Sequence, residues 1–270
     1  MNNNAHIFGI VGRNIGYSLS PVIHNTLFAR EKIAALYKIF CLRPQELGRF
    51  IDAIRLLNLS AFNVTTPFKV DILSYTAKLD PIARATGAVN LVINCRGKLH
   101  GYNTDYTGIA ATIERKLRLD VKDRIITLVG SGGAARTVFC YLARQQAARI
   151  TVYHHSEKRR VDFDSFLRKL SANVDYQEMM FEKRIADFDA CDLCVNCTPL
   201  PLRRLLSRKK LALAAKLFEL RYDEAETSTS NYQNGLYMLA VQAAASFKIM
   251  TGNEVSVNGI VRIIRKAQAT

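Results

Sequence analysis

The sequence predicts an α/β protein made of two α/β domains, the first built on a mostly parallel sheet. Three observations carry this. Apolar runs of strand length alternate with amphipathic runs of helix length along the chain, the pattern of parallel sheets joined by right-handed crossovers. One apolar strand runs directly into a glycine cluster and then a helix, at 128–136. The length of 270 residues, 49% of them hydrophobic, exceeds an average domain of roughly 150 residues.

"HIFGIVG" (6–12) is short and apolar, a strand. "SPVIHNTLFAREK" (20–32) places Val22, Ile23, Leu27 and Phe28 near one helical face. "ALYKIFCL" reads as a strand, and "PQELGRFIDAIRLL" as a helix with Leu47, Phe50, Ile51 and Ile54 inward. "AFNV" is a strand, "PFKVDILSY" a short helix, and "AVNLVINC" a strand ending in a turn at Arg96-Gly97. A long amphipathic helix, "DYTGIAATIERKLRL", follows at 105–119, and the two domains are expected to join near residue 106. Beyond it come a strand, the glycine turn, a helix and the strand "RITVY", then strands at "CDLCVNC" and "KLFEL". Two helices, near 235–250 and 255–267, close the chain.

The 38 Lys and Arg against 23 Asp and Glu give a net charge of +15. Either a nucleic-acid or membrane surface, or a basic enzyme with anionic ligands, accounts for that. The positive runs "KRR", "RRLLSRKK" and "RIIRK" are scattered, without a basic-aromatic motif, which favours a solvated surface. No apolar run reaches the roughly 18 residues of a membrane span. The opening "MNNNAHIFGIVG" lacks a basic n-region and a small-residue cleavage site, so a cytoplasmic location is expected. "CDLCVNC" has metal-like spacing, but on a strand Cys191 and Cys197 share a face while Cys194 points the other way. Such thiols do not converge on a metal, and none is expected.

"LVGSGGAAR" has the setting that a dinucleotide turn requires. Gly130 permits the tight turn, Ser131 follows, Gly132 lets a pyrophosphate approach, and Gly133 and Ala134 keep the helix start small. Free N–H groups there attract phosphate. No acid follows "RITVY", where a ribose-binding carboxylate is expected; the chain offers His154, His155, Ser156 and Arg159. That favours NADP over NAD.

"YSLSPVIHN" (17–25), "FNVTTPFK" (62–69), "GAVNLV" (87–92) and "GYNTDYTG" (101–108), with "GSGGAAR" and "GLYMLAVQAAASF" (235–247), stand in an order and spacing that resembles the shikimate dehydrogenase family. The resemblance covers nearly the whole chain. It implies reversible NADP-dependent reduction of 3-dehydroshikimate to shikimate, a step in chorismate and aromatic amino-acid biosynthesis. It also implies a substrate domain of residues 1–105 with 240–270, and a Rossmann-like NADP domain of 106–239 facing a cleft. By the same resemblance Lys69 and Asp105 form the catalytic pair. Hydride arriving at a ketone carbon leaves negative charge on oxygen, which an ammonium can stabilise or protonate. Asp105 is also a candidate N-cap of the following helix. Ser18 and Ser20 would hold the substrate carboxylate, Ser20 doubling as N-cap before Pro21. Thr65, Asn90, Tyr222 and Gln242 match positions that contact ring hydroxyls or carboxylate. Leu220 and Gly235 join the cofactor set.

Departures from the family pattern concentrate on the cofactor side. "HHS" stands where an "NRT"-like phosphate grip is usual, Glu219 replaces an aspartate, Glu224 lies near a usual proline, and Tyr237 replaces a glycine. Tyr17 and Leu91 also depart, and the segment 227–235 is short. Two other readings stay open: a quinate/shikimate dehydrogenase with NAD or mixed cofactor use, and a non-catalytic paralogue that binds nucleotide or nucleic acid. The expected partner is a small-molecule substrate, with no nucleic acid and no membrane. The sequence does not fix the oligomeric state, for which a homodimer is the expectation.

Overall fold

A computed structural model describes residues 5–170, 174–222 and 229–269. The chain divides into two compact units, Met1–Thr107 with Leu239–Thr270, and Gly108–Met238. Among the described residues no helix is long and apolar enough to cross a membrane.

The first unit begins with β1 (His6–Gly12), α1 (Ser20–Arg30), β2 (Ala35–Cys41), α2 (Leu47–Leu56) and β3 (Ala61–Val64). It continues with β4 (Lys78–Leu79), α3 (Pro81–Thr86), β5 (Leu91–Cys95) and β6 (Lys98–Tyr102). The six strands lie in the order β2-β1-β3-β5-β6-β4. β1 is parallel to β2 and β3, and β4 to β6, whereas β5 runs antiparallel to both β3 and β6. The sheet is therefore parallel-rich but mixed. The hairpin arises at Arg96 and Gly97, both at positive φ (54° and 82°), the backbone that a two-residue turn requires. Asn94 Oδ1 secures it by accepting from the Gly97 N–H at 2.7 Å.

Two helical faces depart from expectation. On α1, Val22 is exposed, and the buried stripe is Ser20, Ile23, His24, Leu27 and Phe28. His24 takes the place assigned to Val22 because its ring stacks on Tyr37, centroids 4.5 Å apart. Burial lowers its pKa from 6.5 to about 3, so it packs as a neutral ring. On α2, Leu47, Ile51 and Ile54 are buried, while half-buried Phe50 meets Phe62 edge-on. "PFKVDILSY" forms a turn followed by a 3₁₀ segment, Asp71–Tyr75.

The second unit continues α4 (Asp105–Ala111), which starts in the first, and follows it with a π-helical turn, Thr112–Lys116. Then come β7 (Ile125–Val129), α5 (Gly133–Arg144), β8 (Arg149–His154), α6 (Glu157–Leu167), β9 (Asp175–Met180) and β10 (Cys191–Asn196). Two four-residue helices, α7 (Leu202–Leu205) and α8 (Arg208–Leu211), precede β11 (Ala214–Glu219) and β12 (Tyr232–Gln233). α9 (Leu236–Thr251) returns the chain to the first unit, where α10 (Val257–Gln268) ends it.

All pairings of the second sheet are parallel, in the order β12-β11-β10-β7-β8-β9. Read from β9 this is 3-2-1-4-5-6, the doubly wound order whose switch point lies between its first and fourth strands, here β7 and β10. Cys191 and Cys194, expected on opposite faces, join one apolar cluster, because Ile185 and Phe188 fold against the start of β10. Burial raises both thiols, which disfavours the thiolate that a metal would need. Glu224 and residues 227–228 of the shortened segment lie outside the described residues.

Candidate active site

Lys69 stands in the turn after β3. Its backbone is held from both sides: Phe68 is fully buried in the core, and the Lys69 carbonyl accepts the Val89 N–H at 2.8 Å. Asp105 opens α4. Lys69 Nζ lies 2.5 Å from Asp105 Oδ2, with the two side chains 15% and 6% exposed. A secluded ion pair persists only if its remaining lone pairs find donors. Asp105 Oδ1 accepts from Asn90 Nδ2 at 2.9 Å, so the oxygen left over for helix capping serves a side chain.

Asn90 is the hub. Its Oδ1 accepts the Thr104 N–H at 2.7 Å, which can only donate, and this fixes the amide so that Nδ2 faces Asp105. Gln242, on α9, is buried too. It donates from Nε2 to the Leu239 carbonyl at 3.1 Å and turns Oε1 toward Asn90 Nδ2 at 3.4 Å. Four sequence candidates, Lys69, Asp105, Asn90 and Gln242, thus form one connected group within the first unit.

Ser18 and Ser20 depart in one respect. Ser20 is the first residue of α1, not its cap; Leu19 already has helical backbone angles, φ −80° and ψ −7°. Ser18 Oγ accepts the Ser20 N–H at 3.3 Å, so Ser18 satisfies the helix start and Pro21 falls at the second position. Thr65 follows β3 and donates its N–H to the Val11 carbonyl at 2.9 Å. Its methyl lies where a side chain on Gly12 would project, 2.5 Å from a built Cβ. Tyr222 belongs to the second unit, half-buried just after β11.

In the second unit Gly130 has φ +100°, a left-handed conformation that suits glycine. Its N–H donates to the Tyr153 carbonyl at 2.9 Å. Ser131 is buried. Gly132 caps α5 in an extended conformation, and no atom lies within 4 Å of where its Cβ would be. Gly133 and Ala134 open the helix. An anion could therefore reach the helix start, as the chemistry of a pyrophosphate demands. Leu220 and Gly235 meet backbone to backbone: a Cβ on Gly235 would collide with the Leu220 carbonyl, and the Gly235 N–H donates to the Arg221 carbonyl at 2.8 Å.

The end of β8 departs from expectation at His154. His154 is fully buried, its Nε2 3.1 Å from Glu178 Oε1 and its ring edge-on to Phe163. Burial lowers its pKa from 6.5 to about 4. Such a ring cannot reach out to grip a phosphate, because the inward register of β8 turns it into the core. His155 and Arg159 are exposed, and Ser156 is the N-cap residue of α6. Arg160 is engaged by Glu157 Oε1 and Oε2, both 3.0 Å from its Nε, and by Glu178 Oε2 at 3.5 Å.

Sequence reasoning passed over Asn63, Thr104 and Ser246, all buried and all bonded to the Asn90 group. One signal was present: Ser246 lies four residues after Gln242, on the same helical face. Among the described residues no cluster of three His, Cys, Asp or Glu side chains could hold a metal ion. The arrangement offers a positioned ammonium, a carboxylate that orients it, and amides beside both. This set suits protonating an oxygen, or taking its proton, during reduction or oxidation of a carbonyl–alcohol pair.

Residues 10–92 match the family described as shikimate dehydrogenase substrate binding domain. A shikimate dehydrogenase (NADP(+)) of Bacillus cereus is 30% identical over 259 residues, covering 91% of this chain and 92% of the relative. A crystal structure of shikimate dehydrogenase from Aquifex aeolicus superposes with a TM-score of 0.82 at 26% identity, over 98% of this chain and 99% of that one. A shikimate 5-dehydrogenase from Listeria monocytogenes, solved in complex with shikimate and NAD, gives 0.78 at 26% identity over 98% of both.

Proposed function

The chain belongs to the shikimate dehydrogenase family, and on that premise we propose how it works. It is an NADP-dependent oxidoreductase that reversibly reduces 3-dehydroshikimate to shikimate, a step of chorismate and aromatic amino-acid biosynthesis. The single observation that carries the reading beyond its relatives is the secluded Lys69–Asp105 pair at 2.5 Å.

The first unit is the substrate domain and the second the cofactor domain. The left-handed turn at Gly130 and the open approach at Gly132 suit the cofactor's pyrophosphate. His155, Ser156 and Arg159 suit its 2′-phosphate, and Leu220 and Gly235 complete the set. When bound, the reduced nicotinamide supplies the hydride. Ser18 and Ser20 hold the substrate carboxylate at the start of α1. Thr65, Asn90 and Gln242 take the ring hydroxyls, with Tyr222 assigned to the substrate as well. Lys69 Nζ gives its proton to the substrate oxygen as charge develops there, and takes it back in the reverse direction. Asp105 keeps that nitrogen aimed.

A second reading, mixed use of NAD and NADP, is favoured by one observation. Glu157 places a carboxylate at the start of α6 and ties Arg160 down. The protein is assigned to the cytoplasm, without a nucleic-acid partner, and to a homodimer. The outer edge of β2, with Leu36 47% exposed, supports contact between copies. The test is reduced-nicotinamide absorbance with shikimate and quinate against NADP and NAD. Fastest turnover with shikimate and NADP is expected; no turnover with either alcohol would end the assignment.

A further inference from the structure

We infer that Ser246, on α9, is a positioning residue that sets the direction of the hydrogens converging on Asp105. This rests on the reading of Lys69 and Asp105 as the catalytic pair, but its basis is the geometry of a buried polar chain. The chain runs from Tyr37 through Asn63, Ser246, Thr104 and Asn90 to Asp105, and every member is at most 6% exposed.

Each end of the chain contains a group whose role cannot reverse. Asn63 Nδ2 lies 3.0 Å from the Asn90 carbonyl, which can only accept. That fixes the Asn63 amide, so its Oδ1 accepts from the Tyr37 hydroxyl at 2.7 Å. The second hydrogen on Nδ2 points at Ser246 Oγ, 3.2 Å away. Ser246 Oγ therefore accepts from Asn63; of the two directions open to its 2.9 Å contact with Thr104 Oγ1, donation by Ser246 leaves both hydroxyl protons with an acceptor. Thr104 Oγ1, having accepted, directs its proton to Asn90 Oδ1 at 3.1 Å.

The consequence falls on Asn90. Its Nδ2 has two hydrogens and three acceptors in range: Asp105 Oδ1 and Thr104 Oγ1, each at 2.9 Å, and Gln242 Oε1 at 3.4 Å. When Ser246 donates to Thr104, one of the threonine's two lone pairs is filled and its draw on the Asn90 hydrogen is reduced. Asn90 is then free to donate to both Asp105 and Gln242. Without the Ser246 hydroxyl, Thr104 draws one Asn90 hydrogen back, and Asp105 shares what remains with Gln242. Charge-assisted bonds of this kind are the stronger ones, so the carboxylate that aims Lys69 loses its firmest second donor. The same substitution leaves one Asn63 N–H buried without its acceptor.

The experiment compares the wild type with Ser246→Ala, Ser246→Thr and Ser246→Cys. Proton NMR of the Asn90 side-chain amide, assigned with Asn90→Asp, reports the hydrogen order without any substrate. In Ser246→Ala the Asn90 amide signals should move, and kcat should fall about three- to tenfold, the scale of one buried hydrogen bond, with KM for the cofactor unchanged. Ser246→Thr, which keeps the hydroxyl, should restore both. Should Ser246→Ala not fold, Ser246→Cys, which keeps the volume but donates only weakly, carries the same expectation. Unmoved Asn90 signals in a folded variant, or an unchanged kcat, would overturn the inference. A wild type inactive on shikimate would remove the substrate assignment, while the amide signals would still decide the hydrogen order.

Discussion

The Lys69–Asp105 pair and the β8–α6 junction are both clusters of charge, yet they are built in opposite ways. The pair is secluded, and Asp105 is held through Asn90 by groups whose donor or acceptor role is fixed. At the junction His155, Glu157 and Arg159 are exposed, and Arg160 is neutralised by two carboxylates. A secluded pair held by donors of fixed direction tolerates little change, whereas solvated charges trade partners at small energetic cost. Substitutions should therefore grade in effect from the first cluster to the second.

The largest loss is expected for Lys69→Ala. Removing well-placed acid–base help costs about 10²–10⁴-fold in rate, so kcat should fall by that much while KM for shikimate stays close to wild type. Because the carboxylate left behind is only 6% exposed, thermal unfolding should be followed alongside the kinetics. Asp105→Asn ranks next. It keeps the shape but sets an NH₂ group against either Asn90 Nδ2 or Lys69 Nζ, both of which are donors. A fall in kcat of about 10–10²-fold is expected, and a wild-type rate would remove Asp105 from the chemistry.

Each unit also buries a histidine, and here the comparison concerns stability. His24 and His154 have pKa values lowered from 6.5 to about 3 and about 4. Between those values and 6.5 the unfolded chain binds more protons than the folded one, so stability is present above pH 6.5 and declines as the pH falls. Each histidine contributes at most about 1.4 kcal/mol per pH unit to that slope. His24→Phe, placed among Tyr37, Phe28 and Phe247, should flatten the acid side of a melting-temperature profile. An unaltered slope would mean that His24 is protonated in the fold.

What could be read in advance follows the same division between local and distant interactions. The strand–turn–helix at Gly130 and the alternation of elements are local patterns, and they were legible. β9 was not, because "DYQEMM" is an edge strand with much of its surface solvated and so lacks an apolar run. The pair Lys69 and Asp105 was reached only through resemblance, since nothing local joins residues 36 apart. Asn63 and Ser246 are 183 residues apart, and no window of sequence announces their contact. Ser20 and His154 were misjudged for a shared reason. Motif position gave the residue, but backbone geometry decides where its side chain goes, and Leu19 is already helical while β8 turns His154 inward.

The smallest effects should come from the junction, and they sharpen the comparison because they discriminate between cofactors. Arg159→Ala removes an exposed cation, and exposed charge interactions are worth about two- to fivefold in an equilibrium. KM for NADP should rise by that factor while KM for NAD stays fixed, since NAD lacks the 2′-phosphate. Glu157→Gln should act in the opposite direction. It removes a carboxylate from the start of α6 and releases Arg160 from its bidentate hold, so NADP should bind about two- to fivefold better with NAD again unmoved. Both changes should shrink in high salt, because these side chains are solvated and screening acts on them fully. Equal shifts for the two cofactors would mean that the junction never meets a 2′-phosphate, and NADP preference would then have to come from elsewhere in the second unit.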